Sequence, residues 1–177
     1  MKNYESNTDN CFFCASHVVR AAATYQVYTK AVYILRRFPR ALPMHSIYFK
    51  NDFVSIYFDR DFRIGKAVWQ GDLVGSEFRE AVLLCLDLID RYSLVGWLGD
   101  NRRMKSIRPD DLEWSLQHFL PQLLEGSLER LANIPSHDDE NRAAVEVLYA
   151  KKSDLDELTI RDFVTEEEAL AWLQDTI

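Results

Sequence analysis

Leu94-Val-Gly-Trp-Leu98 is a short unbroken apolar run, and it is followed by a polar, basic stretch from Gly99 to Arg108 and then by Pro109-Asp-Asp-Leu-Glu-Trp114. The run has the length and character of a strand buried on both faces, as in the middle of a parallel sheet. Pro109 suits the first position of a helix, where its missing N–H costs nothing, and the acids behind it complement the helix dipole. Strand, loop and helix in that order are one half of a βαβ unit. The rest of the chain can be read outward from it.

Upstream, Phe78, Val82, Cys85, Leu86 and Ile89 recur at helical spacing, which predicts an amphipathic helix to about Tyr92, with Ser76 as N-cap and Glu77 and Glu80 in its first turns. Before it come three strand-like runs, Ile47–Lys50, Val54–Phe58 and Arg63–Trp69, joined by the turn residues Asn51-Asp52 and Asp59-Arg-Asp61. Such short links make an antiparallel meander. Downstream, Leu112, Leu116, Phe119, Leu120 and Leu123 continue the helix begun at Pro109 to Gly126, with Pro121 predicting a kink. Leu128–Ile134 reads as a strand, and Ser136 can cap a helix from His137 to about Ala150. Leu158–Phe163 is a last strand, and Thr165 with Glu168 forms the pattern of a capping box before Ala169, Leu170, Trp172 and Leu173. The order βββαβαβαβα predicts an α/β fold: a mixed, mostly parallel sheet with antiparallel first strands and helices packed on it.

Two segments differ in charge. Of the 177 residues, 1–43 carry six Lys/Arg against two Asp/Glu, a net of +4, which leaves −11 for the remainder of a chain whose formal charge is −7. We therefore expect residues 1–43 to be an N-terminal extension, disordered or a mis-assigned start ahead of Met44, and residues 44–177 to be the domain. Val18–Phe38 can also be drawn as a basic helix against an anionic membrane or partner. An apolar share of 47% is enough for a sizeable core. The acidic balance argues against a nucleic-acid binder. No apolar run approaches the roughly 18 residues that a spanning helix needs. Cys11, Cys14 and Cys85 are no disulfide framework, and a cytoplasmic protein is the expectation.

The strand end Gly99-Asp100-Asn-Arg-Arg103, the segment Ile107–Trp114 and the ending Ile160-Arg-Asp-Phe-Val-Thr-Glu-Glu-Glu-Ala-Leu-Ala-Trp-Leu173 resemble the SpoIIAA-like STAS proteins common in bacteria. The likeness covers Met44 to Ile177. It implies a STAS-like fold and a non-catalytic module for regulation, signalling or protein interaction. The related CRAL-TRIO-like branch carries apolar ligands, which makes a binder of a small apolar or anionic ligand between sheet and helices the alternative. Some STAS domains are switched by a phosphorylated serine at the start of the helix after a central strand. Here Arg108 stands at that N-cap and Ser106 lies two residues earlier, so the switch does not carry over directly.

The candidate site is the loop after the buried strand: Asp100, Asn101, Arg102, Arg103, Lys105, Ser106 and Arg108. Ligands of open α/β sheets gather beyond the carboxyl ends of strands, and a helix N-terminus with guanidinium groups nearby attracts anions. Against this, Asp100, Asp110 and Asp111 can pair with the basic residues and neutralise them. Other constellations are thinner. Cys11, Cys14 and His17 lack the fourth ligand of a closed zinc site. Gly71 and Gly75 lack the Lys-Ser/Thr of a phosphate loop. His118 reads as a helix flank, His137 as exposed, Cys85 as core, and Trp69, Trp97 and Trp114 as core aromatics. No metal, cofactor or catalytic set is expected. The expected partners are an unidentified protein and, in the alternative, a small molecule.

Overall fold

The computed structural model describes residues 46–151 and 157–175; the expected N-terminal extension and its Cys11, Cys14 and His17 lie outside them. Strands β1 (Ser46–Lys50), β2 (Val54–Asp59), β3 (Ile64–Gly71), β4 (Gly96–Met104), β5 (Arg130–Ile134) and β6 (Thr159–Asp162) form one six-stranded sheet in the order of the chain. The first two pairings are antiparallel and the other three parallel. The element order is βββαβαβαβα, as the sequence predicts, and the architecture is compatible with a STAS-like fold.

The turns arise as their residues suggest. Asn51 Oδ1 accepts from the N–H groups of Phe53 and Val54 at 2.9 and 2.7 Å. Asp59 Oδ1 accepts from Asp61 and Phe62 at 2.9 and 3.1 Å. Each carboxamide or carboxylate closes an Asx turn that reverses the chain.

Three helical segments then fill the crossovers: α1 (Ser76–Tyr92) between β3 and β4, α2 (Pro109–Trp114) with α3 (Leu120–Glu125) between β4 and β5, and α4 (Asp139–Ala150) between β5 and β6. Parallel crossovers are right-handed, so strands that advance in one direction stack these helices on one face of the sheet. There Phe78, Val82, Cys85, Ile89 and Leu123 meet Ile56, Ala67, Trp69, Trp97 and Leu131. The last helix, α5 (Glu166–Gln174), covers the opposite face, where Ala169, Leu170 and Leu173 pack on Ile64, Leu98, Ala132 and Ile134. Strand alternation sends Trp97 to one core and Leu98 to the other. This is why β4 is apolar throughout its first half.

Several boundaries differ from the sequence reading. Strand β4 runs on to Met104, and the polar residues expected in a loop are paired in the sheet: Arg103 lies beside Gln70 and Met104 beside Gly71. The loop proper is Lys105–Arg108. Helix α4 is capped by Asp138, whose side chain accepts from Asn141 N at 3.0 Å, and Ser136 instead accepts from Asp138 N and donates to the Met104 carbonyl. Gly75, with φ of 59°, takes the N-cap of α1 that Ser76 was expected to fill. The irregularity expected at Pro121 is a π-helical turn over Ser115–Phe119, in which Leu120 N–H reaches back to the Ser115 carbonyl. Pro121 has no N–H to offer and its ring collides with the carbonyl four residues back, so the wider turn ahead of it relieves the clash. Thr165 caps α5 as predicted, accepting from Glu168 N at 3.3 Å.

Candidate functional site

The expected site residues separate into three groups. Asp100 and Arg102 form a planar pair, with Arg102 Nε to Asp100 Oδ1 at 2.9 Å and Nη2 to Oδ2 at 2.6 Å. Asp100 is buried, and burial on its own raises a carboxyl; the hydrogen bonds and charge of Arg102 outweigh it and hold Asp100 below the usual carboxylate range. The pair therefore serves the sheet and its charge is spent internally. Asn101 is buried and turns to the helix-bearing face, donating from Nδ2 to Asn133 Oδ1 at 2.8 Å. Asn133 in turn donates to Asp162 Oδ1 at 2.7 Å, so an amide relay links the ends of β4, β5 and β6.

Arg103, Lys105 and Arg108 are exposed and enter no ion pair among the described residues, and Ser106 is half-buried. Of the acids that were expected to neutralise them, Asp100 belongs to Arg102. Asp111 is directed away from the loop, accepting from Gly75 N at 2.8 Å and Arg79 Nε at 2.9 Å. Arg108 occupies the N-cap of α2 without a side-chain cap bond, and its carbonyl accepts from Asp111 and Leu112 N–H at 3.0 and 2.9 Å.

Beneath this loop lies a cavity of about 100 Å³ between the sheet and α1, α2, α3 and α4. Its walls are almost wholly apolar: Trp69, Phe78, Val82, Cys85, Trp97, Met104, Ile107, Phe119 and Leu123 contribute, with Gly99 in the floor and Asn101 and Ser115 as polar members. The sequence explains the space. Ala67 and Gly99 lie side by side in the middle of β3 and β4, so the sheet is thin where its neighbours are bulky. A Cβ on Gly99 would meet nothing closer than Asn101 Nδ2 at 3.7 Å. Gly65 has the opposite role: a Cβ there would fall on the indole of Trp97, so the glycine lets that ring lie against β3 and form one wall.

Burial pushes the Cys85 thiol up and, with the charge of Asp162 adding to it, the Tyr149 phenol also. Both are neutral in this setting and neither is a ready nucleophile. Among the described residues no cluster of three or more His, Cys, Asp or Glu side chains could hold a metal ion, and no helix is long and apolar enough to cross a membrane. His118 stacks on Trp114 at 5.5 Å between ring centroids, on the surface.

The sequence reading found Asn101 but not Trp97, Gly99, Ser115, Phe119 or Tyr149, which make the cavity with it. One signal was present: a glycine inside an apolar strand marks either a close approach or missing volume. The strand order also never reverses. Among the described residues no topological switch point therefore marks a site, and the apolar space lies under the helices. Compared with protein-family models, with curated proteins and with solved structures, the chain matches none of them.

Proposed function

We propose that residues 44–177 form a SpoIIAA-like STAS module without catalytic chemistry, which binds a small apolar ligand between its sheet and its helices. The observation that carries this reading is the cavity under Ile107, of about 100 Å³ and walled by aromatic and aliphatic side chains. Apolar cavities on the order of 150 Å³ stay dry and accept a benzene-sized guest, because water gains too few hydrogen bonds there to enter. An uncompensated void forfeits dispersion contacts, so a guest that fills it stabilises the fold. Ile107 belongs to the short loop Lys105–Arg108, which gives the guest a route that need not open the core.

Toluene is a suitable probe. Thermal unfolding of the full chain with rising toluene should show an increase in midpoint. The variant Gly99→Val should remove that increase while unfolding at the same temperature or higher, since the valine fills the cavity from a strand position that favours it. An unchanged toluene response in Gly99→Val would rule the cavity out as the site.

A second reading, docking of a protein partner at the loop, is favoured by one specific observation: Arg103, Lys105 and Arg108 keep their charge unpaired among the described residues. It fails if changing all three to Ala leaves every protein retained from a lysate unchanged.

A further inference from the structure

We infer that the ligand is an amphiphile with a protonated amine head, and that a second, polar cleft next to the cavity receives that head. The inference rests on the apolar-ligand reading and adds the chemistry of the other end. The cleft measures about 530 Å³ and lies where β4, β5 and β6 end against α4. Asn101 and Tyr149 line both spaces, so the two are separated only by a shared wall. A guest occupying the cavity lies directly behind that wall.

The hydrogen-bond inventory of the cleft decides the head group. Most of its side-chain donors are already engaged; among the described residues the Tyr149 hydroxyl and the remaining N–H groups of Arg142 are not. Asn101 Nδ2 donates to Asn133, and Asn133 Nδ2 to Asp162. Asn141 Nδ2 donates to the Lys105 carbonyl at 2.8 Å and Ser136 Oγ to the Met104 carbonyl at 2.7 Å. Arg142 donates to the Ser136 carbonyl and to Asp139. The acceptors are not exhausted. Asn141 is fully buried, lines the cleft, and its Oδ1 has no hydrogen-bond partner among the described residues. A buried acceptor without a donor is costly, and a small turn of the Asn141 side chain toward the cleft would let an occupant donate to it. Asp162 and Glu146 also line the cleft and are in no ion pair among the described residues. A wall with spare acceptors and unpaired carboxylates selects an occupant that donates and carries positive charge. A carboxylate or phosphate would face Asp162 and Glu146 unpaired, against a single guanidinium, Arg142, whose charge Asp139 already meets.

The test compares toluene, benzylamine and benzoate as ligands of the full chain, read by calorimetry or by chemical-shift titration. Benzylamine should bind at least about tenfold more tightly than toluene, the scale of one hydrogen bond to a charged group, and benzoate no more tightly than toluene. Asp162→Asn keeps the acceptor that Asn133 uses and removes the charge, so it should shrink the preference for benzylamine. Asn141→Leu should shrink it too, with toluene affinity reporting that each variant still has its cavity. Equal binding of toluene and benzylamine overturns the inference and leaves the apolar-ligand reading intact. A preference for benzylamine that survives both substitutions also overturns it, because the head would then lie elsewhere. Failure of all three probes to bind overturns both readings.

Discussion

Asp111 is 2% exposed and holds two elements together through one carboxylate: Gly75 N–H, at the start of α1, and the guanidinium of Arg79 one turn further on. Arg79 in turn lies over the Trp114 ring at 5.7 Å. Removing the carboxylate leaves a backbone donor and a half-exposed cation without their partner. Asp111→Ala is expected to lower the free energy of unfolding by about 2 kcal/mol, and Asp111→Asn by less, since an amide oxygen can still serve Gly75. Urea unfolding of the two variants checks the order; equal losses would mean that the neutral hydrogen bond to Gly75 contributes nothing and that the charge carries the whole effect. Asp100 makes a prediction in pH. Its carboxyl is held below the ordinary value near 4, so it adds stability that is complete above that value and disappears as pH falls through the lowered one. Asp100→Asn should therefore flatten the decline in unfolding midpoint between about pH 5 and about pH 2. If the decline is as steep in the variant as in the parent, the Asp100–Arg102 pair is not its source.

At the scale of elements, α4 is held at its start by the Asp138 cap and roofs the cavity through Ala144, Leu148 and Tyr149. Asp138→Ala should cost about 1 kcal/mol and should speed amide exchange in the first turn of α4 before it affects the sheet. Uniform exchange across the domain would contradict that local role. All the elements of the described domain were legible from period and punctuation, because burial on one face imposes 2- or 3.6-residue spacing whatever the partner. The limits of β4 were not. Asn101 to Met104 look like a polar loop, yet they continue the ladder because Gln70 and Gly71 lie beside them and Lys105 N–H reaches the Gly71 carbonyl at 2.8 Å. Nothing local in those residues reports what the neighbouring strand offers. The same holds for the site. The basic residues were visible as a cluster, but which acid each would meet depends on tertiary geometry, and Asp111 turned to Arg79. The cavity was less legible still. It is a shortfall of volume between Ala67, Gly99 and the helices above them, and periodicity records polarity and not volume.

At the scale of the whole described domain, the sheet has unequal coverings. Three crossover segments shield one face, whereas among the described residues α5 is the one helix over Ile64, Leu98, Ala132 and Ile134 on the other. Lys66 Nζ meets Glu166 Oε1 at 2.5 Å, and Trp172 sits between the guanidinium groups of Arg130 and Arg161 at 4.9 and 5.2 Å. Ending the chain after Phe163 would forfeit the burial of Ala169, Leu170 and Leu173, on the order of 5 kcal/mol, which is comparable to the entire stability of an ordinary domain. Such a truncation is expected to lose cooperative unfolding and to bind hydrophobic dyes. A truncated chain that still melts in one sharp transition would show that the second core is dispensable.

The sequential strand order has a consequence for how the domain is made. Each strand pairs with the one synthesised just before it, so every addition extends an edge that already exists. Contacts of short sequence separation carry a small loop-closure cost and favour rapid folding. The sheet can thus grow strand by strand as the chain leaves the ribosome, with each crossover helix closing over the strands behind it. Only the closing step is long in reach: Lys66 and Glu166 are 100 residues apart, and their contact waits for the last helix. Until then the nascent chain carries an uncovered apolar face, and the interval between synthesis of β3 and of α5 is the period in which it is most exposed to aggregation.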